Sequence, residues 1–77
     1  MTITGPQVKA ARRLLRWTQD RLAAESGVTA TTIAKFEAAK ARLSRIQISV
    51  LRRTLEAAGV EFTNGGQPGV RLKAKGG

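Results

Sequence analysis

Apolar residues recur along the first sixty positions with the spacing of short amphipathic helices, then switch to strict alternation near the end. Val8, Ala11 and Leu15 fall on one face of a helical wheel at roughly 100° per residue, with Lys9, Arg13 and Arg16 opposite. Thr4-Gly5-Pro6-Gln7 opens that helix. Thr4 can cap it, Pro6 lies in the first turn where its missing N–H is harmless, and Gln7 stands three residues after the cap. The helix runs to about Leu15, and Trp17 closes it as core between the first and second helices. Thr18 caps a second helix, Gln19 to Glu25, with Leu22 and Ala23 inward. Gly27 stands where a helix end favours a left-handed residue. Thr29 caps a third helix that reaches about Ala38.

A loop of small and basic residues follows, Ala39-Lys40-Ala41-Arg42-Leu43. Ser44 and Gln47 have capping-box spacing, which starts a fourth helix that ends before Gly59. Its apolar stripe is Ile48, Leu51, Leu55 and Ala58, with Arg52, Arg53 and Glu56 turned outward. Ile46, Ile48 and Val50 also alternate as a strand would, so this start is the least determined. Beyond Gly59 the period is two. Val60-Glu61-Phe62-Thr63 and Val70-Arg71-Leu72-Lys73 bracket Asn64-Gly65-Gly66-Gln67-Pro68-Gly69 and predict a β-hairpin or two short strands. Pairing Phe62 with Val70 sets Glu61 against Arg71 and Val60 against Leu72, favourable on both faces. The expected fold is mainly α, a four- to five-helix helix-turn-helix domain over residues 4–59. A C-terminal β extension follows over 60–73 and a frayed basic tail over 74–77.

Composition narrows the partner. The 77 residues hold fourteen Lys+Arg against five Asp+Glu, a formal net charge of +9, and neither cysteine nor histidine. Disulfides are excluded and zinc lacks its usual ligands. No metal, cofactor or catalytic group is expected, because five carboxylates show no acid/base pairing. No apolar run approaches the ~18 residues of a membrane span, and Met1 to Pro6 lacks the features of a secretory leader. The charge favours a polyanion. It fits RNA, anionic lipid or an acidic protein as well as DNA, and the pattern decides among them. Leu22, Val28, Ile33 and Phe36 let the second and third helices bury one small wedge around the turn at Ser26-Gly27-Val28, the geometry of a helix-turn-helix whose second helix reads a major groove.

The third helix then has an inner side of Ile33, Phe36 and Thr29 and an outer side of Thr31, Ala34, Lys35 and Ala38. Ala30 and Thr32 lie on its flanks. Small outer residues allow close approach to base edges. Threonine can donate or accept, alanine and threonine methyls can touch thymine, and lysine can reach guanine O6 or N7. An alanine-rich solvated helix is the alternative. Gln19, in the first turn of the second helix, can hold a phosphate with its amide and the free backbone N–H groups. Lys40 and Arg42 flank the reading helix and suit its neighbouring phosphates, with Arg16 and Arg45 as further candidates. Arg12 and Glu37 each lie roughly 70° from the centre of a buried face, where a charge needs a partner. They are expected to form an ion pair locking the first helix to the third.

Residues Val8 to Val60 resemble the phage-repressor-like, or Cro/C1, helix-turn-helix family. Arg12, Leu15, Trp17-Thr18-Gln19, Leu22-Ala23, Gly27-Val28, Thr32-Ile33, Glu37 and Leu55-Glu56-Ala57-Ala58-Gly59-Val60 carry the likeness, over about two thirds of the chain. The resemblance implies a buried Arg12–Glu37 pair, phosphate contact from Gln19 and base contacts around Ala30, Thr31, Thr32 and Lys35. It also implies a homodimer on a roughly palindromic operator of double-stranded DNA. Two positions depart from the family. Ala39 stands where glycine is frequent, so a longer or differently shaped turn is expected there. Ala30 replaces a longer polar residue, which leaves fewer direct hydrogen bonds for base readout. The expected protein is a cytoplasmic transcriptional repressor with no enzymatic activity, its dimer built on the apolar strip Val60, Phe62, Val70 and Leu72. A hairpin folded back on its own fourth helix, with dimerisation elsewhere or only on DNA, is the alternative for that strip. A protein-binding antiactivator or antitoxin of the same fold, and a nucleoid-like or RNA-binding protein, are the rivals.

Overall fold

Four hydroxyl side chains start the four helices. Thr4, Thr18, Thr29 and Ser44 are the N-caps of α1 (Gly5–Leu15), α2 (Gln19–Ser26), α3 (Ala30–Glu37) and α4 (Arg45–Ala57), each accepting from the backbone N–H three residues on. At α1 and α4 the box is reciprocal, with Gln7 accepting from the Thr4 N–H at 2.9 Å and Gln47 from that of Ser44 at 3.2 Å. Each such cap is worth about 1 kcal/mol, which matters for helices as short as eight residues. The strand-like alternation at Ile46 is overridden by the Ser44 cap, and Ile46 is left 76% exposed on the first turn of α4.

The computed structural model describes residues 3–63 and 68–73. The expected frayed tail, 74–77, and most of the connection between the strands lie outside the described residues. The described chain ends in an antiparallel pair, β1 (Val60–Thr63) and β2 (Gly69–Leu72). Its register is Val60 to Leu72, Glu61 to Arg71 and Phe62 to Val70. Glu61 and Arg71 form an exposed ion pair at 2.6 Å on the outer face.

Three tertiary features differ from the pattern read along the chain. First, residue 59 marks no boundary in the packing. Val60 and Phe62 join Val8, Ala11, Leu22, Ile33, Leu51 and Leu55 in one core, and Ile3, ahead of the first cap, is buried there too. Gln7 fixes the hairpin to α1 by donating from Nε2 to the Gly69 carbonyl at 3.1 Å. Second, Gly5 is a contact residue. A Cβ at this position would lie 1.9 Å from the Phe36 carbonyl oxygen, so only glycine lets α1 begin against the end of α3. Third, Arg52, expected to point outward, is half buried, and its Nε is enclosed with no hydrogen-bond partner among the described residues.

Helices α1 and α3 end alike. The Trp17 N–H bonds to the Arg12 carbonyl and that of Arg16 to Arg13; the Lys40 N–H bonds to Lys35 and that of Ala39 to Phe36. This is the paired bonding of a Schellman end, whose pivotal residue is usually glycine. Here the pivots are Arg16 and Ala39, both at φ 59°. The turn after α3 is therefore not lengthened or reshaped. Alanine simply takes the left-handed conformation, at a cost of roughly 1 kcal/mol relative to glycine.

Candidate nucleic-acid interface

The α2–α3 unit is held from within by its apolar wedge. Leu22 and Ile33 are fully buried, and Val28 and Phe36 nearly so. Gly27 turns the chain at φ 80°, donating its N–H to the Ala23 carbonyl at 2.8 Å, and the Ser26 hydroxyl accepts from the Val28 N–H at 3.2 Å. With the wedge buried, the opposite side of α3 is committed to solvent. Thr31, Lys35 and Ala38 are exposed there, while Ala30, Thr32 and Ala34 are half covered. Thr31 and Lys35 are four residues apart and so stand one above the other on the open face. Thr32 is less available than its neighbour, because its hydroxyl accepts from Thr29 Oγ1 at 2.8 Å.

Behind that face lies a charged lock. Arg12 Nε and Nη2 donate to the two carboxylate oxygens of Glu37, each at 2.8 Å. The remaining arm, Nη1, donates to the Trp17 carbonyl at 2.9 Å. Side-chain exposure is 13% for Arg12 and 4% for Glu37, so the pair is largely dry. The Arg12 guanidinium is held above the ordinary arginine range, chiefly by its hydrogen bonds to Glu37 and against the opposing effect of burial. Bidentate geometry fixes orientation as well as distance, so α1 holds the C-terminal end of α3 in one pose.

Gln19 belongs to the same lock. Its Nε2 donates to Glu37 Oε1 at 3.2 Å, so the amide is tied inward at one hydrogen, with the second hydrogen and the oxygen left for another partner. The basic candidates are spread around α3. Lys40 and Arg42 are exposed in the α3–α4 connection, Arg16 at the α1–α2 corner and Arg45 on the first turn of α4. Trp17 is not core. It is half buried at the margin, with the Arg21 guanidinium 4.7 Å from its ring centroid.

The strip assigned to dimerisation is divided by the fold. Val60 is 0% and Phe62 5% exposed, because the hairpin lies over its own helices and uses them as core. Val70 is half buried, and Leu72, at 50%, is the exposed member. The sequence reading also overlooked Lys9, which lines the crevice beside the Arg12–Glu37 pair. Its signal was present: Lys9 precedes Arg12 by three residues, so placing Arg12 against α3 brings Lys9 to the same margin.

Two capped helices around a glycine turn, an exposed outer face of small residues on α3 and a net positive chain are the features of a helix-turn-helix DNA-binding domain. Residues 8–62 match the helix-turn-helix family model of the Cro/C1 type, and the chain belongs to that family of DNA-binding transcription regulators. No individual curated protein is a significant match to the chain. Among the described residues no helix is long and apolar enough to cross a membrane.

Proposed function

We infer that the protein is a cytoplasmic repressor that binds a roughly palindromic operator as a homodimer, with α3 of each protomer in the major groove. The observation that carries this reading is the open face of α3. Thr31 and Lys35 project from a floor of Ala34 and Ala38, on a helix whose position is set by the dry Arg12–Glu37 pair. Lys35 would read guanine and Thr31 a thymine methyl or a base-edge hydrogen bond, with Ala30 and Thr32 in apolar contact at the flanks. Gln19, Lys40, Arg42, Arg16 and Arg45 would hold phosphates and fix register without reading sequence. A domain seated across a promoter represses by occupancy alone. The dimer contact is narrower than the sequence suggested and centres on β2, where Leu72 is half exposed.

Selection of bound duplexes from a random pool, followed by footprinting, tests the reading. Two symmetric half-sites whose centres lie about one helical turn apart are expected. Leu72→Lys should sediment as a folded monomer, its melting temperature no longer dependent on protein concentration, and protect one half-site weakly. Recovery of no preferred sequence would remove the repressor assignment, and a Leu72→Lys protein that still dimerises would move the contact elsewhere.

A further inference from the structure

Beside the Arg12–Glu37 lock, α1 and α3 enclose a crevice of about 160 Å³ lined by Lys9, Arg12, Gln19, Ala34, Glu37 and Ala38. Its charges do not cancel. Both oxygens of Glu37 are bonded to Arg12, and Oε1 also accepts from Gln19. That leaves Lys9, which is exposed and makes no ion pair among the described residues. The second amide hydrogen of Gln19 is a further donor at the same opening. Ala34 and Ala38, two small side chains from the outer side of α3, leave room at the mouth. A second, larger opening of about 370 Å³ shares Lys9 and continues along α1 to Arg13.

We propose that Lys9 adds a backbone-phosphate contact of its own at this crevice, beside the phosphate already assigned to Gln19. The Arg12–Glu37 pair serves there as a neutral wall. The proposal rests on the DNA-binding reading and deepens it. It extends the grip on the backbone to α1, an element outside the helix-turn-helix itself. Lys9 positions the duplex and reads no base.

The test is equilibrium binding to a selected duplex and to a random-sequence duplex across a salt series, by fluorescence anisotropy. Lys9→Gln should make the slope of log K against log[salt] shallower by about 0.9 for each bound protomer, or about 1.8 for the homodimer on two half-sites. Over a fourfold rise in salt the affinity of the homodimer would fall about 12-fold less than that of the wild type. Both duplexes should weaken by the same factor, and Lys9→Arg should restore the slope. Arg53→Gln removes the same charge from exposed α4 surface that lines neither opening, and should leave the slope unchanged. Equal effects of Lys9→Gln and Arg53→Gln would show that bulk charge, not this contact, is felt. A changed ratio between selected and random duplexes would show that Lys9 reads bases. Either result overturns the contact while leaving DNA binding in place, whereas a flat salt response in the wild type would overturn DNA binding itself.

Discussion

Replacing Arg12 by alanine removes three hydrogen bonds at once. Two reach the Glu37 carboxylate and one the Trp17 carbonyl, all at 2.8–2.9 Å. Glu37, with 4% side-chain exposure, would then keep only the 3.2 Å contact from Gln19 to offset its desolvation. Breaking a buried pair from one side costs about 3–5 kcal/mol. Arg12 reaches solvent at 13%, so water can enter the vacated space, and about 3 kcal/mol is the expected loss. A domain of this size has roughly 4–11 kcal/mol in all, and the melting temperature should fall by about 12–24 °C. Arg13→Ala, one residue away and exposed, should stay within about 0.5 kcal/mol. Urea unfolding of the two variants with matched slopes decides the matter, and equal midpoints would refute the lock.

The pH dependence has a definite sign. A raised arginine pKa contributes stability that is complete below the ordinary arginine range and lost only above it. On the Arg12 side, the gap between wild type and Arg12→Ala should therefore persist unchanged from pH 7 to pH 10.

Gly5→Ala should cost about 3 kcal/mol, the upper end of the overpacking range, because its Cβ would meet the Phe36 carbonyl at 1.9 Å; a thermal melt within 2 °C of wild type would show that α1 shifts freely. Ala39→Gly should stabilise by about 1 kcal/mol by relieving the left-handed turn, and a lower urea midpoint would show that strain is absent there. Lys35→Ala should relax preference at one or two operator positions at a cost of about 1–3 kcal/mol. Lys40→Ala should instead weaken selected and random duplexes alike, and the reverse pattern would mean that the groove contacts are misassigned.

The legible parts of the fold are those written in neighbouring residues. Four hydroxyl caps, Gly27 and the alternation at either side of residues 64–69 mark where elements start, turn and pair. The Val60–Leu72 register follows from matching both faces of the hairpin at once. Two separate helical wheels bring Arg12 and Glu37 to half-covered positions, and burial then leaves them no better partner than each other. What stayed hidden depends on where whole elements sit. An apolar strip at period two looks the same whether it covers its own helices or a second chain, so the alternation at Val60 and Phe62 does not by itself choose between them. Gly5 looks like a helix-start residue until the end of α3 is brought against it. Lys9 looks solvated until α1 and α3 form a crevice beside it.

The two ends of α3 are held very unequally. At its C-terminal end, Phe36 packs against Gly5, Glu37 is gripped by Arg12 and Gln19, and the Lys35 and Phe36 carbonyls are bonded by Lys40 and Ala39. At its N-terminal end the Thr29 cap and the apolar wedge of Val28 and Ile33 hold it, without an ion pair among the described residues, and Thr31 is open to solvent. An eight-residue helix has little stability of its own, so its position follows from these anchors. In a groove, Lys35 would stand on the fixed end and Thr31 on the yielding one. Adjustment to a particular base step then falls to Ala30 and Thr31, while the lysine enters at a position set by the folding of the domain. A Lys35 contact is thus preorganised, and the ordering cost of binding concentrates on the first turn of the helix.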